Sequence, residues 1–256
     1  MRYRPIDSQL FVENRKRLAG QLAPGGMAVV CSNDIMPTNA DGTMGFRQNS
    51  DLLYLTGVDQ EESTLVLFPG ASNPAHREIL FLRETNEHIA VWEGDKLSKE
   101  QAFAQSGIQT VYWNQDFPAM FRALMAEAET VYLNRNEHIR ANVEVQRRED
   151  RFTLWCKEHY PLHQYARLAP LLMRQRALKH PIEIELMREA CRITELGFRR
   201  LLSFVKPGVW EHEIEAELWH EFIRNRAGGF AYTPIIASGE RACVLHYIEN
   251  NQQCQD

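Results

Sequence analysis

Nine histidines and thirty-four carboxylates are the side chains with which this 256-residue chain could do acid–base or metal chemistry. Their spacing is poor for a metal site. His159 and His163 are four residues apart, but Pro161 lies between them and disfavours the regular helix that would align both rings. They read as solvated loop histidines. His212 and His220 share one stretch with Glu211, Glu213, Glu217 and Glu221. Positions eight apart on an α-helix are rotated by about 80°, so this cluster reads as a charged face turned to solvent. No G-x-S-x-G, P-loop or G-x-G-x-x-G pattern occurs, which leaves serine-hydrolase and nucleotide-binding readings without a motif. Two stretches stand above this background. In "GFRQNSDLLYLTGVDQ", residues 45–60, Arg47, Gln48, Asn49 and Asp51 crowd a loop that enters a strand-like run, where polar side chains commonly cap backbone groups. In "YTPIIASGERACVLHY", residues 232–247, a short apolar run delivers His246; a lone histidine in that setting is most often a packed core residue.

The elements that position these residues alternate in type. Leu10, Asn14, Leu18 and Leu22 share a helical face, and Pro24-Gly25-Gly26 stops that helix before the strand-like "MAVVCS". "LLYLTGV", "STLVLF" and "EILFL" read as three strands. Ser98 with Gln101 forms a capping box, Gly107 closes the short helix it opens, and Asp116 can cap the next helix. "TVYW" and "TVYLN" flank that next helix as strands. Strands separated by helices predict an α/β layer with a partly parallel sheet. The polar, aromatic stretch 137–180, broken by Pro161 and Pro170, reads as a helical connector. Beyond it, Pro181 opens a long amphipathic helix that "KPG" ends at 206–208, a second runs from about Glu211 to Arg226, and "AYTPIIAS" and "ACVLHY" read as strands.

Composition narrows the function classes. Twenty-nine Lys and Arg against thirty-four Asp and Glu give a net charge of -5, so no basic field awaits a nucleic acid. Apolar runs such as "TLVLF" fall far short of the roughly 20 residues that cross a bilayer, so no membrane partner is expected. The early arginines are followed by no apolar segment, which argues against a signal peptide and for a mature start at Met1. Cys31, Cys156, Cys191, Cys243 and Cys254 make no C-x-x-C pair. Reduced thiols in a cytoplasmic protein are expected rather than a disulfide framework or a zinc knuckle.

Four blocks in register carry a family resemblance. "FRQNSDLLYLTG" resembles the signature of the N-terminal domain of Xaa-Pro aminopeptidases (aminopeptidase P). "LKHPIEIELMREACRITELGF", "KPGVWEHEIEAELWHEF" and "SGERACVLHYIEN" resemble, in the same order, the opening of that family's catalytic domain. Arg241 departs from the pattern, standing where relatives commonly carry Asn or a small residue, with consequences for the turn before His246.

The resemblance implies a fold of α/β and α+β character: a creatinase-like N-terminal α/β domain over residues 1–165, then the first part of a pita-bread metallopeptidase domain over 166–256. It implies hydrolysis of the bond between an N-terminal residue and a following proline, with a proline-containing peptide as substrate and two manganese ions per site in the complete protein. Hard oxygen ligands suit Mn²⁺, and a metal pair can generate hydroxide and clamp both oxygens of the tetrahedral intermediate. The family's five ligands follow the "LHY" block, and Asp256 does not match the first of them, so no metal is expected in this chain and none of its residues is assigned as a ligand. His246 is then an outer-shell group that binds or polarises substrate. Tyr232 matches a position near the substrate pocket, against a plainer reading as strand packing. Trp92 matches a tryptophan that reaches a neighbouring subunit's site in a homo-oligomer, a dimer or tetramer, against a plainer reading as an aromatic covering a strand end. The 256 residues alone are then not expected to be catalytically competent, and Ile235, Ile236, Val244 and Leu245 are expected to expose apolar surface. A prolidase-like dipeptidase and a non-catalytic pita-bread binding module are the alternative readings.

Overall fold

The computed structural model describes residues 3–141 and 143–256 and divides into two compact units, Ile6–Lys179 and His180–Asp256, the latter joined by the described N-terminal residues up to Pro5. In the first unit, α1 (Ser8–Ala19) leads into β1 (Gly26–Cys31), then α2 (Ser50–Thr56), β2 (Thr64–Leu67), β3 (Glu78–Leu82), α3 (Glu87–Glu93), α4 (Lys99–Ser106) and β4 (Thr110–Trp113). The chain continues through α5 (Phe117–Met125), β5 (Thr130–Leu133), α6 (Arg148–His159), β6 (Gln164–Arg167) and α7 (Ala169–Ala177). The six strands form one sheet in the order β4-β3-β2-β1-β5-β6. Only β2 runs against its neighbours; β1, β5 and β6 are mutually parallel, as are β3 and β4.

The central strands are buried on both faces, and their period-two alternation sorts side chains between two cores. Ala28, Val30, Leu65, Leu67, Leu80 and Leu82 point to the side packed by α1, α2, α4 and α7. Met27, Val29, Val66, Ile79 and Phe81 point to the other, where Phe121 and Leu124 of α5 and Cys156 of α6 close over them. A fully buried arginine ties the first layer together. The Arg15 guanidinium donates to the carbonyls of Leu55 (2.8 Å) and Ser106 (2.9 Å), capping the ends of α2 and α4, and pairs with Glu78 at 3.0 Å.

The sequence reading of strands, capping box and mixed sheet holds here, with three corrections. "LLYLTGV" is a helix, not a strand: the Asn49 side chain accepts from the N–H groups of Asp51 (2.9 Å) and Leu52 (3.4 Å), and Gly57 ends the helix in the left-handed region at φ 69°. The local cap at each end outweighs the strand propensity of the run between. A Cβ at Gly57 would strike the Phe11 ring, so Gly57→Ala combines a positive φ with a clash. It is expected to lower unfolding stability by at least about 2 kcal/mol in urea denaturation. The second correction is β6: "QYAR" pairs with β5 as an edge strand inside the stretch read as a helical connector. The third is Asp116, whose side chain makes no cap hydrogen bond.

In the second unit, Pro181 is the first residue of α8 (Pro181–Phe204) and α9 spans Glu211–Arg224. They meet where Gly197 faces Phe222 and Leu218; a Cβ there would lie 2.9 Å and 3.0 Å from those side chains. The two stretches expected as strands are not strands. Gly239–Cys243 winds as a single 3-10 turn, and the N–H groups of Ile236 and Ser238 are taken by side chains instead of a ladder. A strand needs a hydrogen-bonding neighbour, and among the described residues of this unit no strand offers one.

Candidate active-site segment

The segment around His246 is held by one buried carboxylate. Glu211 opens α9 and is fully buried. Its Oε2 accepts from the Tyr247 hydroxyl (2.6 Å) and the Gln252 N–H (2.9 Å), and its Oε1 accepts from the Ser238 N–H (2.7 Å). Three points of the C-terminal segment therefore converge on a single side chain. Asn250 makes a second pin: φ is 47°, its Oδ1 accepts from the Ile236 N–H at 3.1 Å, and its Nδ2 donates to Glu215 at 2.8 Å. The segment's end folds back along the approach to α9, with Glu211 N–H on the Gln252 carbonyl (2.9 Å) and Cys254 N–H on the Val209 carbonyl (2.8 Å).

These pins fix the backbone on either side of His246 while leaving its ring open. Tyr247 is buried at 1% exposure, Leu245 is 88% exposed, and His246 between them is exposed. The Arg241 guanidinium lies 5.6 Å from the centre of the Tyr247 ring, stacked on this anchor. Ile235 (46%), Val244 (50%) and Leu245 are exposed as expected, and Ile236 is half-buried.

Burial pushes the Glu211 carboxyl up, but the Tyr247 hydroxyl, the Gln252 and Ser238 N–H groups and Arg241 outweigh it and hold it below the ordinary value of 4.5. Tyr247 moves the opposite way: burial and then its bond to Glu211 raise the phenol above 10.0. A carboxyl lowered in the folded state stabilises above its unfolded value, and that contribution is lost as pH falls through the folded value. A raised phenol stabilises below about 10 and is lost above it. Hydrogen exchange of residues 205–256 is therefore expected to be slowest between about pH 5 and pH 9 after correction for intrinsic rates, with opening promoted at both extremes.

Tyr232 and Trp92 are 79% and 78% exposed, so neither is a packed strand residue. Tyr232 shares the second unit with His246. Trp92 sits in α3 of the first unit, a helix started by the Asn86 side chain on the Ile89 N–H at 2.9 Å. Reading the carboxylates of α9 as a solvent face missed Glu211, and also Glu221, which is buried and faces Arg200 of α8 at 3.7 Å. No local signal marks Glu211, since Glu213 shares its first-turn position and the bond to Tyr247 spans 36 residues.

Three other histidines are engaged with backbone carbonyls: His159 with that of Trp155 (2.9 Å), His163 with that of Met125 (2.8 Å) and His212 with that of Asn250 (3.3 Å). Among the described residues, no three His, Cys, Asp or Glu side chains gather so as to hold a metal ion. The residues present do not fit a dinuclear centre. The cysteines are free; burial raises the Cys31 thiol to about 11 and Cys156 to about 12, which makes both poor nucleophiles. Among the described residues no helix is long and apolar enough to cross a membrane.

Residues 11–132 match the family model "Aminopeptidase P, N-terminal domain", and residues 185–256 match "Metallopeptidase family M24". The Xaa-Pro aminopeptidase of Escherichia coli K12 is 29% identical over 98% of this chain, and that of Haemophilus influenzae 30% identical over 98%. The chain spans 57% and 56% of their respective lengths. The structure of Pseudomonas aeruginosa aminopeptidase PepP superposes with a TM-score of 0.86 at 28% identity, over 98% of this chain and 57% of that one. Two family segments in tandem, relatives aligned along nearly the whole chain and a shared fold carry one conclusion: the chain belongs to the Xaa-Pro aminopeptidase family, with its N-terminal domain and part of its M24 metallopeptidase domain.

Proposed function

We propose that this chain is the N-terminal portion of a metal-dependent aminopeptidase that hydrolyses the bond between an N-terminal residue and a following proline. The observation that carries this reading is the pinning of the His246 segment by Glu211 and Asn250, which holds the histidine open beside an immobilised Tyr247. A histidine fixed in this way is suited to donate a hydrogen bond to substrate without binding metal. Tyr232 borders the same substrate pocket, and Trp92 serves a neighbouring subunit's site in a homo-oligomer. The metal is a manganese pair, supported by M24 membership and by the preference of Mn²⁺ for hard oxygen donors. Five free cysteines support a reducing, cytoplasmic setting.

The 256 residues by themselves are inactive and bind no stoichiometric Mn²⁺, a reading supported by the absence, among the described residues, of carboxylates and histidines grouped as ligands. Metal analysis after dialysis tests this: one or more equivalents retained would contradict it. Peptide-length profiling with the chain extended to the length of its relatives separates the two peptidase readings. Cleavage of Xaa-Pro peptides of three or more residues is expected; cleavage confined to dipeptides would make the protein a prolidase.

A further inference from the structure

The chain places β2, β3 and β4 to one side of β1 and then returns to add β5 and β6 on the other, so the strand order reverses between β1 and β5. Connections leaving the carboxyl ends of two such parallel strands diverge and open a crevice, the position where open α/β sheets hold small ligands. Here the crevice is a cleft of about 560 Å³, the size of a small-molecule site. It is walled by Asn33 beyond β1, Asn136 and His138 beyond β5, Asp51 in α2, and Arg147 and Glu149 at the start of α6.

Most charges on the wall are already answered. Asp51 receives Arg176 at 2.5 Å and Asn134 at 3.1 Å, Arg135 pairs with Asp150 at 3.0 Å, Glu137 pairs with Arg167, and Lys179 donates to the Arg176 carbonyl at 2.6 Å. Two charges are not. Glu149 is 5% exposed, and its Oε2 is sealed from solvent with no hydrogen-bond partner among the described residues. Arg147, half-buried on the same wall, has no ion-pair partner among the described residues. An unanswered buried carboxyl is costly, and a first-turn helix position does not compensate for its missing donors.

We propose that this cleft binds a small zwitterion, an amino acid or short peptide, whose ammonium is held by the Glu149 carboxylate and whose carboxylate is held by the Arg147 guanidinium. The ammonium supplies a donor to a carboxylate that has none among the described residues, and the two protein groups together select for both ends of the ligand. Burial, Asp51 and Asp150 raise Glu149 to about 7 against the pull of Arg147. The charged groups facing it from the neighbouring elements are Asp51 and Arg176, which neutralise each other, and Arg135, Glu137, His138 and Lys179 along the rim. Holding an ammonium requires the ionised carboxyl, so affinity rises from about pH 6 to about pH 8 and then levels.

Glycylglycine is the probe, titrated into the ¹⁵N-labelled 256-residue protein and followed by amide chemical shifts. Saturable shifts are expected at Asn33, Asn136, Glu149 and Met173. N-acetyl-glycylglycine and glycylglycinamide, which each lack one charge, are expected to bind at least tenfold more weakly. Glu149→Gln and Arg147→Met are each expected to cost tenfold or more. The capped peptides leave the protein untouched, so they decide the matter even where a variant unfolds. Absence of saturable shifts up to about 50 mM, equal binding of the capped peptides, or shifts confined to residues 180–256 would overturn the proposal.

Discussion

Glu211→Ala is expected to unfasten residues 225–256 from α9. The substitution leaves the Tyr247 hydroxyl and the Ser238 and Gln252 N–H groups without their shared acceptor. Each buried donor stranded in this way costs on the order of 1–3 kcal/mol, partly relieved as water enters, so a loss of about 3 kcal/mol is expected for the set. Glu211→Gln is milder but not neutral, because its amide NH₂ must face at least one of the three donors. Hydrogen exchange of peptides from 225–256, compared with those from the sheet of the first unit, reads the effect locally. Unchanged protection in the Ala variant would mean that the segment is held by something other than Glu211.

His246→Ala, in the chain extended to the length of its relatives and loaded with Mn²⁺, is expected to lower turnover about 10²-fold. That is the usual scale for removing one hydrogen-bond donor that acts on a developing charge. The proposed role is outside the metal shell, so bound metal is expected to stay within error of the unsubstituted protein. Because Tyr247 and Asn250 still pin the backbone on the C-terminal side, folding stability is expected to change little. Loss of metal along with activity would instead make His246 a ligand.

The sheet was legible in the sequence because its strands are short, β-rich and punctuated by Gly, Pro and Asn, and because Ser98 and Gln101 spell out a cap. "LLYLTGV" was misread because its helix is specified at its ends, by Asn49 and Gly57, while the run between carries strand-like residues. β6 was missed because "QYAR" is a half-exposed edge strand with no apolar alternation. The site was legible only in part. His246 could be picked out by its block, yet nothing in a run of α9 carboxylates separates Glu211, which three distant groups must reach, from Glu213, which only caps the Trp210 N–H. Polar arrangements of that kind depend on backbone positions that local sequence does not encode. The same holds for Glu149, whose burial follows from the reversal of strand order beside it.

The most direct test of the peptidase reading is mass-spectrometric analysis of a peptide with proline at its second position, incubated with the extended protein with and without Mn²⁺. Release of the single N-terminal residue, dependent on the metal and absent when alanine replaces the proline, is the expected result. No release, or cleavage at a bond that does not precede proline, would contradict the account.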